Sequence, residues 1–523
     1  MSELRHYAQL RATLAAKEEL ALIDVREEAP FASGHPLFAA NIPLGKLELE
    51  VYARIPRRTT PITVYDNGEG LAIKAVEKLK QLGYRDVALL AGGLQGWQEA
   101  GGEIFIDVNA PSKAFGELVE AKRHTPSLSA EEVQKLQRQG TELVVLDVRR
   151  FDEYQTMNIP GSISLPGGDL VLKARAQVSG PQTQIVVNCA GRTRSIIGAQ
   201  SLINAGISNP VAALRNGTIG WTLAGQALEQ GQERQAQESS GEEEAERIAA
   251  WELATSAGVS FVAWSDWQVW RHNSDRNTWL FDVRSPEEYR AGHLPGARSV
   301  PGGQLVQETD HYAAVRGGRI VLVDDDGVRA PMAASWLAQM GWEVAVLEAS
   351  RELFTDRGDW QAPVPAAPKV EEISPATLAA WLEQPGTTLL DFTTSANFRA
   401  RHIPGAKWLG RAQLKAAVAT LPEPDRWVVT CGSSALARFA APELQALSGR
   451  PVYVLQGGTL AWIAENRPLA QGVEGELHRP EDRYRRPYEG TNVPRKAMED
   501  YLQWEYGLVA QLERDGTHGF WVI

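Results

Sequence analysis

The chain has 523 residues, 43% of them hydrophobic and 23% charged, with a net charge of −12 from 53 basic and 65 acidic residues; these values exclude a mainly disordered chain, and the length predicts three or four domains rather than one core. No run of about 18 apolar residues offers a membrane span, and no basic block offers nucleic acid the charge it needs. The start, MSELRHYAQL, lacks the apolar centre of a secretory signal, and two cysteines, Cys189 and Cys431, give no disulfide framework, so a cytoplasmic protein with reduced thiols is expected.

In chain order, the first strong signal is Leu22-Ile23-Asp24-Val25-Arg26, an apolar run with a polar stop that reads as a buried strand. It recurs at Val145-Leu146-Asp147-Val148-Arg149, Leu280-Phe281-Asp282-Val283-Arg284 and Leu389-Leu390-Asp391-Phe392-Thr393. A second strand follows each: Ile62–Tyr65, Ile185–Asn188, Ile320–Val323 and Trp427–Thr430. The residue after it is Asp66, Cys189, Asp324 or Cys431, at 42, 42, 42 and 40 residues from the earlier Asp. A short loop and a helical pattern come next, as in Ser195–Leu202. Helix starts precede each unit, among them a capping box at Ser129 and Glu132 and a Ser374-Pro375 cap. Three units close on Gly92-Gly93…Gly96-Trp97, Asn216-Gly217…Gly220-Trp221 and Gly457-Gly458…Ala461-Trp462; the third has Glu348-Ala349-Ser350 instead.

Strands alternating with helices predict four α/β domains, each a parallel sheet with helices on both faces. We bound them at 1–110, 120–231, 255–362 and 370–475, with a C-terminal helical tail over 476–523. Gln232 to Arg247, rich in Gln, Glu and Ser, reads as a solvated linker, and Ala362 to Pro368 as a stiffer one. In the tail, Tyr501, Trp504, Leu508 and Leu512 put apolar groups on one helical face. That face would dock on the core or against a second copy of the chain, making a homo-oligomer.

Chemistry concentrates at Cys189-Ala190-Gly191-Arg192-Thr193-Arg194-Ser195, between a strand and a helix. Backbone N–H groups in such a turn converge on an anion, and two arginines add charge. The same field is expected to lower the Cys189 pKa and favour the nucleophilic thiolate. Asp66 and Asp324 replace the cysteine with a carboxylate, which is expected to repel an anion, so two units read as inactive. Cys431-Gly432-Ser433-Ser434-Ala435-Leu436-Ala437 lacks any cation, and Thr393 replaces the strand-end arginine, which leaves Cys431 a degenerate site or a secondary thiol. His35, His293 and His402 recur eleven residues past the strand Asp, but the complete unit has Asn158 there, so they read as structural.

The arrangement resembles the rhodanese (sulfurtransferase) family. The strand-end Asp-Val-Arg, Gly292-His293-Leu294-Pro295-Gly296-Ala297, the cysteine loop and the Gly-Gly-x-x-Gly-Trp close carry the resemblance over roughly residues 1–475. It implies ping-pong sulfur transfer. Cys189 would take the outer sulfur of a small anionic donor such as thiosulfate as a persulfide, then pass it to cyanide or a thiol. Arg192 and Arg194 would hold the donor, the N–H groups of Ala190, Gly191, Thr193 and Ser195 would line the cradle, and Asp147, Arg149 and Glu153 would frame it. No metal or organic cofactor is required, and two isolated cysteines make no ligand pair. Phosphate-ester hydrolysis competes, because phosphatases also open such a loop with cysteine. They place five residues between Cys and Arg; four separate Cys189 from Arg194, and Ser195 stands at the phosphatase position. The remaining alternative is a non-catalytic scaffold or a sulfur-relay module charged by a partner.

Overall fold

The computed structural model describes residues 3–239, 243–273 and 275–523. Four five-stranded sheets are present, every strand pair in them parallel, each with the order first-fifth-fourth-second-third in its own strands. In the second repeat the neighbouring strands β1 (Leu143–Asp147) and β2 (Gln184–Asn188) pair in register, Asp147 opposite Asn188. Side chains alternate between faces. Val145, Val186 and Leu214 meet Ala130 and Trp221 on one side, while Leu146, Ile185, Val187 and Ala213 meet Ala199 and Leu202 on the other. Both faces are therefore apolar, and helices cover both. The Ser129/Glu132 capping box forms as expected, and Ser374 caps the helix that begins at Pro375.

The repeats pack through equivalent loops. Gly167-Gly168 of the second lies on Gly302-Gly303 of the third, where a Cβ on Gly303 would stand 2.9 Å from the Gly168 nitrogen. The corresponding loops of the first and fourth meet at Gly45 and Arg411, and Arg411 forks onto Glu48 at 2.8 and 3.0 Å. First and third join by backbone bonds between Leu20 and Arg316, and one core cluster runs through both repeats into the tail at Leu508, Leu512 and Phe520.

Between the first two repeats lies α1 (Ala110–Arg123), which packs on α2 (Thr193–Asn204), the helix after the cysteine loop. The tail forms α3 (Arg495–Tyr506) and α4 (Leu508–Asp515), both docked on the chain's own repeats. The apolar face that could have met a second copy is thus spent internally. The expected linker at 232–247 is more structured than its composition suggests. The Ala236 N–H bonds the Ser164 carbonyl and a helix runs from Glu244, while 240–242 lie outside the described residues. Among the described residues no helix is long and apolar enough to cross a membrane.

Candidate active site

Cys189 is the first residue beyond β2, one position past the Asp147–Asn188 pair, at the carboxyl end of the sheet where open α/β folds bind ligands. Asp147 is held at 3.0 and 2.8 Å by the Arg149 guanidinium, which also donates to the Met157 carbonyl, and by the Asn188 amide at 3.1 Å. Asp147 and Arg149 therefore pair with each other and stiffen the strand end. Glu153 pairs instead with Arg194, at 2.9 and 3.0 Å. Burial disfavours the Glu153 charge, but Arg194, with Arg149 and Arg150, holds the carboxyl down at about 2.

The loop closes tightly on the sulfur. The Cys189 thiol lies 3.4 Å from Ser195 Oγ, which donates to the Arg192 carbonyl at 2.8 Å, and the N–H groups of Ser195 and Gly191 face the sulfur. The closing motif clamps the loop from outside. Thr218 N–H donates to the Cys189 carbonyl at 3.0 Å and Ile219 N–H to the Ala190 carbonyl at 3.1 Å. Gly217 has φ +54°, and a Cβ there would stand 2.2 Å from the Cys189 oxygen, so glycine is required. Gly93 and Gly458 make the same approach in the first and fourth repeats.

Two expectations need correction. The Cys189 thiol is pushed up, not down, because it is fully buried; Arg194 and the Ser195 and Gly191 bonds oppose burial without overturning it. Arg192, expected on the donor, is committed elsewhere. It forks onto Glu117 of α1 at 2.6 and 2.9 Å, reaches Glu120, and lies over the Tyr506 ring. Of the two loop arginines, Arg194 is the one whose charge acts on Cys189. Ala190, Gly191 and Thr193 are buried within the loop.

The two aspartate repeats show what the same loop can hold. Asp66 does not repel an anion from the cradle; its carboxylate occupies it. Its Oδ1 accepts from Gly68 N–H at 3.1 Å, and Oδ2 from Leu71 and Ala72 at 2.7 and 3.0 Å. Asp324 likewise accepts from Gly327 and Ala330 at 3.1 and 2.7 Å. Gly191 and Ser195 are the counterparts of Gly68 and Ala72. In the fourth repeat the N–H groups of Ala437, Leu436 and Ser434 face Cys431, so that cradle is intact but carries no cation. Without the strand-end arginine, Asp391 Oδ2 has no hydrogen-bond partner among the described residues, and burial pushes the carboxyl up to about 7. The buried Trp408 indole donates to the Thr393 carbonyl at 2.8 Å. The repeated histidines are structural: His35 bonds the Pro36 and Asp107 carbonyls, and His293 and His402 bond Tyr289 and Phe398.

Sequence reasoning missed the tail's part in this site. A Cβ on Gly191 would stand 3.1 Å from Tyr501 and 3.5 Å from Glu505 Oε2, so α3 lies directly on the cysteine loop. Tyr501 donates to Glu505 Oε1 at 2.8 Å, whereas Oε2 has no hydrogen-bond partner among the described residues. The available signal was a carboxylate four residues past Tyr501, on the face that otherwise reads as apolar. Lys113 of α1 lies 5.3 Å from the Tyr488 and Tyr501 rings and pairs with Asp107 at 2.8 Å.

Glu505 supplies a stability prediction. Burial and Glu117 push its carboxyl up to about 8, against the pull of Lys113, Arg192 and the Tyr501 hydroxyl. The folded protein therefore keeps a proton that the unfolded chain releases in the ordinary carboxylate range. Stability from this group is full at acid pH and is lost as pH rises towards and through about 8. Thermal melts from pH 5 to 9 should show a smaller decline in Glu505→Gln than in the parent; equal slopes would mean that Glu505 is ionised in the folded state.

The profile of the rhodanese-like domain matches residues 7–100, 129–224, 267–356 and 374–465. A crystal structure of thiosulfate sulfurtransferase from Pseudomonas aeruginosa is 62% identical, with TM-score 0.99, and the match covers 100% of both chains. A rhodanese-related protein from Thermoplasma volcanium matches 19% of this chain and 97% of its own at 21% identity and TM-score 0.18. The Alr3790 protein from Anabaena sp. matches 20% of this chain and 83% of its own at 25% identity and TM-score 0.18. No curated protein sequence matches the chain.

Proposed function

The chain belongs to the rhodanese-like domain family, four times over, and from that premise we propose that it is a thiosulfate sulfurtransferase working through a Cys189 persulfide. The observation that carries this reading is the full-length likeness to thiosulfate sulfurtransferase, 62% identical over both chains, in a protein whose second repeat keeps cysteine, cradle and cation together. The reading further assigns catalysis to residues 120–231, a scaffold role to the first and third repeats, and a cytoplasmic setting in which both cysteines stay free, as they are here.

In the first half-reaction the Cys189 sulfur attacks the outer sulfur of thiosulfate; the donor's S–S bond breaks and sulfite leaves with the bonding pair. Burial keeps the resting thiol protonated, so its proton passes to the departing sulfite as the new S–S bond forms, and the charge of the resulting persulfide anion grows on the outer sulfur. The Gly191 and Ser195 N–H groups and Arg194 are already placed to take up that charge. The aspartate repeats support the geometry of the product. An aspartate Oδ stands one bond beyond the atom that matches Sγ, where the outer sulfur of a persulfide stands. The N–H groups that bind Asp66 therefore occupy the positions that would bind a persulfide anion. In the second half-reaction the acceptor, cyanide or a thiol, attacks the outer sulfur and Cys189 leaves as thiolate. Intact mass spectrometry after thiosulfate exposure should find one added sulfur, mapped to Cys189; no adduct, or one only on Cys431, overturns the reading.

The third repeat offers a graft test. Asp324→Cys in a Cys189→Ser background should stay inactive. Asp326 there bonds the Val328 and Arg329 N–H groups at 2.8 and 2.9 Å, taking from the cradle the donor that Asp66 receives from Leu71. Asp325 and Asp326 would also surround the new thiol with negative charge. Replacing 324–328 with Cys-Ala-Gly-Arg-Thr should give measurable thiosulfate:cyanide turnover. Turnover from the single change would show that these carboxylates do not block the cradle.

A further inference from the structure

A recess of about 60 Å³ lies at the junction of the second and third repeats, lined by α2 and by its third-repeat counterpart, the helix Arg329–Gln339. Phe115 of α1, Val148, Val171 and Ile197 of the second repeat, and Met332 and Trp336 of the third make much of its wall. It borders a central cleft of about 1340 Å³, which all four repeats line, and the two share Gly168, Arg194, Gly303 and Gln307. At roughly 10–15 Å³ for each water-sized occupant, the recess has room for about four such groups.

The polar groups on this wall are nearly all satisfied. Ser112 donates to the Gln307 carbonyl at 2.6 Å; Ser201 donates to the Ile197 carbonyl at 2.7 Å and receives the Trp336 indole at 2.8 Å. Arg194 is held by Glu153, and Arg329 forks onto Glu288 at 2.7 and 2.8 Å. The Thr193 hydroxyl is buried without a hydrogen-bond partner among the described residues. Gln307 is the group left open. The residue is only 9% exposed, its side-chain amide makes no hydrogen bond among the described residues, and it stands where recess and cleft meet. An amide asks for an acceptor and a donor together.

We propose that this recess is an effector site for a small uncharged amide, whose carbon skeleton fills the apolar wall and whose C=O and N–H edge pairs with the Gln307 amide. The walls set the charge of the ligand. Both guanidiniums there already hold carboxylates, so no free counter-charge offsets the cost of taking an ion out of water. The volume limits it to a short chain. The occupant lies against Thr193 and Arg194 of the cysteine loop on one side and against the third repeat on the other. Its binding is thus felt by the loop that carries Cys189, and the third repeat gains a task beyond that of a scaffold.

The test uses the full-length protein with ¹³C-methyl methionine, isobutyramide as the probe and isobutyrate as its charged isostere. Of the five methionines, Met332 lines the recess and Met498 lies in the tail. Isobutyramide should shift the Met332 signal, assigned through Met332→Leu, to saturation while that of Met498 stays in place. Gln307→Leu should weaken this binding at least fivefold, and isobutyrate should bind the parent at least fivefold more weakly than the amide. Saturating amide should change kcat/KM for thiosulfate at least twofold in the parent but not in Gln307→Leu. A Met332 signal that never saturates, as with water alone in the recess, overturns the site; so does equal affinity for amide and acid, or unchanged affinity in Gln307→Leu. If a lowered melting temperature shows Gln307→Leu to be misfolded, Val171→Phe, which fills the recess from the second repeat, takes its place. Saturable binding with thiosulfate constants within twofold overturns the effector role. Saturable binding to a parent that transfers no sulfur refutes the sulfurtransferase reading and leaves the site standing.

Discussion

Cys189→Ser reduces thiosulfate:cyanide transfer to background, while Cys431→Ser leaves most of it. A hydroxyl in the Cys189 position still fits between Ser195 and the loop N–H groups, so the fold is kept. It cannot hold a second sulfur, however, and removing a covalent nucleophile commonly costs on the order of 10⁴-fold or more. Cys431 has the N–H groups but not the cation, and its nearest acid, Asp391, lacks its arginine. The comparison is a steady-state assay of both variants with melting temperatures alongside. Silence from Cys431→Ser with activity in Cys189→Ser would reverse the assignment of the working repeat.

The second large effect falls on Arg194→Leu, which copies Leu436 of the fourth repeat into the second. The arginine does two things at once. Its charge opposes the rise in the Cys189 pKa, and its two bonds of 2.9 and 3.0 Å hold Glu153 ionised. Losing it removes the attraction for a dianionic donor and leaves Glu153 with only the exposed Arg150, at 3.6 Å. A charge-assisted hydrogen bond is worth about 1.5–3 kcal/mol, so kcat/KM should fall by roughly tenfold to a hundredfold. Arg194→Leu/Glu153→Gln separates the two effects: the double variant should regain stability but not donor affinity. Activity unchanged within twofold in Arg194→Leu would mean that backbone donors alone bind thiosulfate.

The strand ends were legible because short apolar runs stopped by Asp leave few alternatives to a buried parallel strand, and repetition of the same spacing made each run evidence for the others. The cysteine loop was legible for the same reason. Its charges were not. Arg192 and Arg194 look equivalent in the sequence, yet Arg192 is the residue before α2, with non-helical backbone, and Arg194 lies in its first turn. One faces Glu117 and the other Glu153. Glu117 sits on α1, between two repeats, where no repeat pattern calls attention to it. The sign of the aspartate effect was also hidden. Repulsion follows from charge alone, and only coordinates place the Asp66 oxygens on the Leu71 and Ala72 N–H groups. The cysteine loop is covered at Gly191 by α3, far away in the chain.

The contact of Tyr501 and Glu505 with Gly191 separates two units that are easily taken for one. The stretch that duplication can copy ends with the fourth repeat. The stretch that encloses the cysteine loop extends into a segment no repeat encodes. A second repeat moved alone into another protein would bring its cysteine, its N–H groups and Arg194, but with one wall open to water. The inheritable module is thus smaller than the working one, and a census of family domains along a genome counts the former.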